Sequence, residues 1–310
     1  MKNYFKSFFT IFLLLVFSIS AFAKQKLTAE QIVEKHQNSI GSKEKLKETV
    51  NQVILCNLQL MVKGTPTIVQ GQSVIASQGD KTIWGLNLNS NDYPLDRYSF
   101  NGKDTKVAFV TPGTRSILGE FIFNNTELIR EGLLGGVLSN SWALLDVENK
   151  KPKLSYEGEK KIEGKNTYVL GFAPKNRSNL EIKMYFDKET FQHLRTDYNL
   201  VISASQAVSG NQSASQRSMG GVGGNSSEDR INSSAGQGSE RYRITEDFSD
   251  FQQVNGITLP KSYKIFYSYF SDTTVRSAQK RNREIEWKFT VTNASFNQQL
   301  DPATFEIDTK

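Results

Sequence analysis

The spacing of apolar residues changes from a helical to an extended period near residue 50. Ahead of that point, the stretch LTAEQIVEKHQNSIG has Thr28 and Gln31 in the spacing of a capping box, and Gly41 marks its end. Four residues between them share one helical face: Ile32, Val33, His36 and Ile40. The pattern predicts an amphipathic helix that packs on another element.

From Val50 onward, apolar and polar residues alternate, as in VILCNLQLMV, which is typical of a half-buried strand. Similar segments follow: GQSVIASQ, KTIWGLNL, DRYSF, KVAFV, KLSYEGEKKI, NTYVLGFAP, LEIKMYFD, FQHLRTDYNLVIS, RYRITEDFSDFQQV, ITLPKSYKIFYSYF and EIEWKFTVTNASF. Turn signals such as Asn101-Gly102, Glu163-Gly164-Lys165 and Asn255-Gly256 separate them. We predict a mainly β (α+β) chain with roughly ten or eleven antiparallel strands in one sheet.

One apolar segment does not alternate. GEFIFNNTELIREGLLGGVLSNSWALLD, which begins at Gly119, is too apolar for an exposed loop. Its glycines at 132, 135 and 136 argue against one long helix. We therefore expect one or two short helices that lie across the concave face of the sheet.

The N-terminus has the features of a secretory signal. Lys2 and Lys6 precede an apolar run from Phe8 to Phe17, and the small residues around Ala23 fit signal peptidase. The alternative is a membrane anchor, but the apolar run has only about half of the ~20 residues that span a bilayer. We predict a signal peptide at residues 1–23 and a soluble periplasmic chain, 24–310, without a transmembrane segment.

Residues 203–240 are rich in serine and glycine and contain no aromatic side chain. The tract either links two domains or is a loop of one. The strand-like segments after it are too few to form a second core, and its composition does not favour ordering. We therefore predict a disordered hairpin insertion within a single domain.

Net charge and cysteine content narrow the choice of function only slightly. The formal charge of +6 falls to about +4 once the two signal lysines are removed, which does not favour nucleic acid as a partner. Cys56 is the only cysteine, so no intramolecular disulfide is possible. We expect its thiol to be buried as a small apolar group.

The sequence offers few residues for catalysis. It has no Gly-x-Ser-x-Gly elbow, His-Glu-x-x-His pair or Walker loop. His36 and His193 lie in separate predicted elements, and we do not expect them to meet as a catalytic or metal-binding pair. The neighbouring acids Glu246 and Asp247 should point to opposite faces of a strand. We predict a non-enzymatic protein with no cofactor and no metal site.

Several motifs resemble the lipoprotein-carrier fold of the periplasmic LolA and LolB proteins. They are TAEQIVEKHQNSIGSKEKLK, YEGEKKIEGKNTYVLGFAPK, YFDKETFQHLRTDY, EDFSDFQQVNGITLPKSYKI and LDPATFEI, in the family's order across the mature chain. More narrowly, PGTRSILGEF and EGLLGGVLSNSWALLD resemble a secreted bacterial subgroup.

The resemblance implies a curved antiparallel half-barrel, with the N-terminal helix and short internal helices over an apolar cavity that holds acyl chains. It also implies envelope lipoprotein-sorting components as possible partners. The carriers have an arginine, on the strand after the first helix, that helps to hold the lid. The corresponding stretch here, VILCNLQL, has none.

The candidate ligand-binding residues are therefore apolar. An acyl chain can be held without a polar anchor because each buried methylene contributes ~0.8 kcal/mol. Residues of one strand and of the glycine-broken segment are the candidates: Trp84, Leu86, Phe121, Leu128, Leu133, Leu134, Leu138 and Trp142. The leading hypothesis is a periplasmic carrier or chaperone for acyl chains of a lipid or lipoprotein. The alternatives are a cell-envelope interaction or scaffold module with a filled core, and a secreted hydrolase.

Overall fold

A computed structural model describes residues 26–176, 178–203, 239–271 and 283–308. In these ranges the chain forms one sheet of twelve antiparallel strands. The strands are β1 (Asn51–Val62), β2 (Ile68–Gln78), β3 (Lys81–Leu88), β4 (Leu95–Phe100), β5 (Thr105–Val107), β6 (Lys153–Ile162), β7 (Lys165–Ala173), β8 (Leu180–Asp187), β9 (His193–Ser203), β10 (Ser239–Val254), β11 (Ile257–Ser271) and β12 (Arg283–Phe296).

The sheet consists of two meanders joined in the middle. Its strand order is β5-β4-β3-β2-β1-β12-β11-β10-β9-β8-β7-β6, so the first and last strands pair with each other. Gln52 lies opposite Phe296, and Val62 lies opposite Ile285. Within the described residues, β5 and β6 form the two edges and the sheet stays open.

Two tight turns set the register of long hairpins. At Asn255-Gly256 both residues have positive φ, 49° and 84°, and the same holds for Glu163-Gly164, at 47° and 89°. Successive residues with positive φ form the turn whose twist matches that of the flanking strands. The sequence signal at these two sites therefore specifies which residues of β10 and β11, and of β6 and β7, face each other.

The helices are short apart from the first. They are α1 (Ala29–Ile40), α2 (Lys43–Glu48), α3 (Ile117–Asn124), α4 (Glu127–Arg130) and α5 (Val147–Lys150), with 3-10 turns η1 (Gly136–Leu138) and η2 (Pro302–Phe305). The predicted capping box of α1 is present, because Thr28 accepts from the Gln31 amide and Gln31 reaches back. Gly41 has extended backbone (φ 178°), and a Cβ there would lie 2.9 Å from the Gly256 oxygen.

One face of the sheet carries the core. Alternate residues of the strands, such as Leu58, Tyr98, Ile244 and Phe289, are buried in one apolar cluster. The cluster includes the buried side of α1 and most apolar residues of 116–146, which we call the covering segment. The fold class is as predicted: mainly β, with short helices on the concave face.

Two details differ from the sequence-based expectation. The sheet has twelve strands rather than ten or eleven. KVAFV, predicted as a full strand, pairs only over Thr105–Val107, because the chain then turns through an isolated bridge between Thr111 and Thr114 to reach α3.

The serine- and glycine-rich tract connects two adjacent strands. Residues 204–238 lie outside the described residues, as does the predicted signal peptide, but Ser203 is paired with Ser239 at the ends of β9 and β10. The strands before and after the tract belong to the same sheet. The limits of the domain itself stay a prediction.

We expect deletion of Ala207 to Gly238, replaced by a short turn, to leave the sheet intact. Loop-closure entropy changes by only about 0.6 kcal/mol for each doubling of loop length, so the shorter loop should cost little. Thermal unfolding of the full-length and shortened proteins compares them directly. Loss of soluble protein, or a melting temperature lower by more than about 5 °C, would contradict the prediction of a single domain with an inserted loop.

Candidate functional site

The covering segment and the concave face enclose one apolar interior. All eight residues predicted to contact a ligand lie in it, and each has at most 2% of its surface exposed. Two come from β3 and six from the covering segment: Trp84, Leu86, Phe121, Leu128, Leu133, Leu134, Leu138 and Trp142. The structure brings all eight into the same core, and their contact with a ligand stays a prediction.

Glycines allow the backbone of the covering segment to lie directly against side-chain rings of the sheet. A Cβ on Gly135 would lie 2.5 Å from Cζ2 of Trp84, and one on Gly136 would lie 3.1 Å from Nδ1 of His193. Both glycines have positive φ, 82° and 52°. The residues that break the helical period therefore also allow close contact between backbone and rings.

A cleft of about 1200 Å³ opens beside the interior. It lies between α1, α2 and residues 130–152, and its wall carries five cationic and five acidic side chains. Val137, Ala143 and Phe172 of its lining also belong to the apolar core, whereas none of the eight predicted residues lines it. The cleft was not predicted, because its wall is assembled from stretches of chain that are far apart in the sequence.

Lys150 is a partly buried cation in the wall of the cleft. Its ammonium group donates to the backbone oxygen of Ser141. Burial lowers the pKa of Lys150 to about 8, against the weaker opposing effect of nearby acids such as Asp80. Lys150 therefore ties α5 to the covering segment and remains largely protonated at neutral pH.

A buried carboxylate lies beneath the covering segment. Glu246 is on the concave side of β10 and has no exposed surface. Its Oε1 accepts from the Gly135 amide at 2.7 Å and from the Tyr263 hydroxyl, and its Oε2 lies 2.6 Å from the Tyr198 hydroxyl. Burial raises the pKa of Glu246 to about 7, although these hydrogen bonds lower it.

The neighbour of Glu246 behaves as strand alternation predicts. Asp247 points to the opposite face, where it pairs with Arg195 at 2.5 Å and with Lys264 at 3.3 Å. The prediction that the two acids do not converge is confirmed. The complete burial of Glu246, a charged residue at a concave position between Ile244 and Phe248, was not predicted from the sequence.

A second buried acid ties the start of the covering segment to the sheet. Oδ2 of Asp96, on β4, accepts from Tyr93 at 2.6 Å and also from the hydroxyls of Tyr98 and Ser116. Ser116 is at the same time the N-cap of α3 and accepts from the Gly119 amide. Burial raises the pKa of Asp96, against these three hydrogen bonds. Asp96 was not among the residues predicted from the sequence.

The two histidines meet, contrary to the sequence-based expectation. The ring centroids of His36 on α1 and His193 on β9 are 6.2 Å apart, and Trp142 stacks on His193 at 5.0 Å. His36 is nevertheless a packed core residue, as predicted. The expectation was wrong because the pairing of the meanders and the position of α1, which bring the two rings together, are not visible in local periodicity.

Backbone carbonyls fix the tautomer of each histidine. Nδ1 of His36 donates to the Phe191 oxygen at 2.7 Å, and Nε2 of His193 donates to the Arg195 oxygen at 2.9 Å. The other ring nitrogen of each has no hydrogen-bond partner among the described residues. Burial lowers the pKa of His36 to about 4 and that of His193 well below 6.5, so both rings are neutral.

The histidine pair lacks further ligands for a metal ion. Within the described ranges, no group of three or more His, Cys, Asp or Glu side chains is arranged to hold one. Cys56 lies buried on β1, as expected, and burial raises the pKa of its thiol to about 12. None of the helices in the described part of the chain combines the length and apolar character needed to cross a bilayer.

Comparisons with known proteins give likenesses of structure only. No family model and no curated protein matches the chain. It is similar to a LolA superfamily protein from Nitrosomonas europaea, at 11% identity and a TM-score of 0.43, over 91% of this chain and 99% of that one. The LolA group suggested by the sequence motifs is thus among the solved structures that the chain resembles.

Two further likenesses are of the same kind. A putative outer membrane lipoprotein-sorting protein domain from Vibrio parahaemolyticus has 10% identity and a TM-score of 0.43, over 88% of this chain and 95% of that one. The MucA/MucB complex of Pseudomonas aeruginosa has 9% identity and a TM-score of 0.21, over 84% and 92%. Because all three TM-scores lie below 0.5, the function has to be inferred from the residues of this chain.

Proposed function

We propose that the protein is a periplasmic, non-catalytic carrier or chaperone that holds acyl chains of a lipid or lipoprotein under the covering segment. The observation that carries this proposal is the apolar character of the interface between that segment and the sheet. A segment that is not part of the sheet contributes six of the eight predicted apolar residues, all fully or almost fully buried against the concave face. Displacement of such a segment exposes a continuous apolar surface.

The covering segment shares no backbone-to-backbone hydrogen bond with the sheet among the described residues. Its polar contacts run through side chains. Besides those to Glu246 and Asp96, they include the Asn140 amide to Ser77 at 2.8 Å, the Gln52 side chain to the Val137 oxygen at 3.1 Å and the Gln37 side chain to the Leu144 oxygen at 2.7 Å. The adjoining cleft of about 1200 Å³ is lined in part by core residues, so in this proposal it offers a route to the interior. In this proposal the described state is the closed, ligand-free one.

Uptake of cis-parinaric acid, a fluorescent fatty acid, tests the proposal on the full mature chain. We expect saturable binding, competition by palmitate, and energy transfer from the buried tryptophans. Trp287→Phe, at a buried core residue outside the eight candidates, should reduce the transfer while leaving the affinity within about threefold. Native mass spectrometry of protein purified from its own periplasm should show a co-purifying lipid.

One observation favours a second candidate, an envelope interaction or scaffold module. The interior is filled in the described state, because the eight predicted residues leave almost no exposed surface. A filled core is what such a module needs, whereas a carrier needs a state with the covering segment displaced. Absence of a co-purifying lipid, together with no parinarate uptake between pH 6 and 9, would overturn the carrier and leave the interaction module.

A further inference from the structure

The hydrogen-bonding set around Glu246 joins the sheet to the covering segment at two backbone atoms. The amide of Gly135 donates to Oε1 of Glu246 at 2.7 Å. The oxygen of Leu133 lies 2.8 Å from the Tyr198 hydroxyl, which is also 2.6 Å from Oε2 of Glu246. Tyr198 therefore stands between the carboxyl group and the covering segment.

Every acceptor in this hydrogen-bond network has a donor in only one protonation state of Glu246. The Tyr198 hydroxyl has a single hydrogen but lies near two acceptors, the Leu133 oxygen and Oε2 of Glu246. If Oε2 is protonated, Glu246 donates to Tyr198 and Tyr198 donates to Leu133. If Glu246 is ionised, it draws the Tyr198 hydrogen to itself, and the Leu133 oxygen loses that donor.

We propose that Glu246 is a pH-sensitive latch, which holds the covering segment closed while its carboxyl group is protonated and loosens it on ionisation. The closed state buries the carboxyl group completely, whereas displacement of Leu133 and Gly135 would admit water to it. Closing then favours the neutral acid, and the neutral acid favours closing.

The neighbouring titratable groups support this assignment. Tyr198 from β9 and Tyr263 from β11 face the carboxyl group, and burial raises the pKa of both well above 10, so neither ionises near neutral pH. Asp247 on the same strand points away, and its charge adds to the increase in the Glu246 pKa. Cys56 approaches Tyr263 from β1 and has a raised pKa as well.

The sign of the pH effect follows from the direction of the Glu246 shift. The pKa is about 7 with the segment closed and is expected near the ordinary 4.5 when water reaches the carboxyl group. Protonated Glu246 therefore stabilises the closed state fully below pH 4.5, and this stabilisation is lost as the pH rises through about 7. His193, which faces Gly136, has the opposite sign, because its protonation below pH 6.5 would favour opening.

Hydrogen exchange of the covering-segment amides, corrected for the intrinsic pH dependence of exchange, tests the latch without any ligand. The matched variant is Glu246→Gln, whose amide keeps an acceptor for Gly135 and Tyr263 and a donor for Tyr198, as the protonated acid does. We expect similar protection in both proteins at pH 5. At pH 8 the wild type should be less protected than the variant by roughly 10- to 100-fold. The histidine effect is common to both proteins and cancels in this ratio.

Asp96→Asn is the second control, since Asp96 is the other buried acid that contacts the covering segment. Because the Asp96 contact is at Ser116, this variant should keep the wild-type pH dependence for the amides around Leu133 and Gly135, where Glu246 acts. A ratio between wild type and Glu246→Gln that does not change with pH would overturn the latch.

If Glu246→Gln does not fold, the ¹³C carboxyl resonance of Glu246 gives a direct answer in the wild type. An apparent pKa near 7 supports the latch, and one near 4.5 overturns it. The latch rests on the proposed movement of the covering segment but not on the identity of a ligand. Failed parinarate uptake with an intact pH response would remove the carrier function and leave the latch. Parinarate uptake without a pH response would remove the latch and leave the carrier function.

Discussion

Gly132→Ala should lower the free energy of unfolding by about 4 kcal/mol or more, the largest loss that we expect from a single methyl group. Gly132 has a φ of 65°, and a Cβ there would lie 2.5 Å from the carbonyl carbon of Ser141 and closer still to its oxygen. The neighbouring atoms are backbone, so a change of rotamer cannot relieve the overlap. The Ala143 amide also donates to the Gly132 oxygen at 2.9 Å, so this hydrogen bond holds the backbone at Gly132 close to that at residues 141–143.

Gly164→Ala is the matched control, because Gly164 has a φ of 89° but no atom within 4 Å of a Cβ. Its cost should be about 1–2 kcal/mol, from backbone strain alone. Urea unfolding of the three proteins separates strain from overlap. Equal losses for the two variants would mean that the covering segment shifts away from Ser141 at little cost, and that it is softer than its packing indicates.

The strands were predictable because their period is recorded in the local sequence. β3, β6 and β8 begin and end at the predicted residues, and the tight turns at Glu163-Gly164 and Asn255-Gly256 have the positive φ values that such turns require. Alternation of side chains needs only neighbours along one strand. The pairing of β1 with β12, which joins residues more than 200 positions apart, has no such local signal.

The eight apolar candidates were predictable as a group but not as ligand contacts. Composition places residues such as Leu133 and Trp142 inside, because they are too apolar for a surface loop. Whether a buried residue contacts a ligand or another side chain depends on the position of the covering segment. That position cannot be predicted from the local pattern of apolar and polar residues. The glycine breaks were the usable signal, since Gly135 lies against Trp84 in the structure.

Glu246 was missed because its role depends on three separate elements. Its partners Tyr198, Tyr263 and Gly135 come from β9, β11 and the covering segment. The available signal was a charged residue at a concave position, flanked two residues away by Ile244 and Phe248. A buried carboxyl without a cationic partner is costly, so a site of this kind marks either a satisfied network or a functional group. Here the covering segment supplies part of the hydrogen-bond network, through the Gly135 amide and the Leu133 oxygen.

Acidification should destabilise the protein through its two buried histidines. The pKa of His36 falls from 6.5 in the unfolded chain to about 4 in the folded one, which corresponds to about 3 kcal/mol. Because the folded value is the lower one, this stability is present above pH 6.5 and is lost as the pH falls toward 4. His193 shifts in the same direction and adds to the loss. The physical cause is burial of ring nitrogens that have no partner for a second proton among the described residues.

Glu246 partly offsets this loss, since its raised pKa contributes stability that grows as the pH falls from 7 toward 4.5. The His36→Asn variant isolates the histidine effect, because its amide keeps a donor for the Phe191 oxygen but does not titrate. Between pH 6.5 and 4, its free energy of unfolding should fall by about 3 kcal/mol less than that of the wild type. In Glu246→Gln the opposing gain is absent, and the fall should be steeper than in the wild type. Parallel pH profiles for His36→Asn and the wild type would mean that His36 reaches water in the folded protein, and that α1 does not seal this side of the interior.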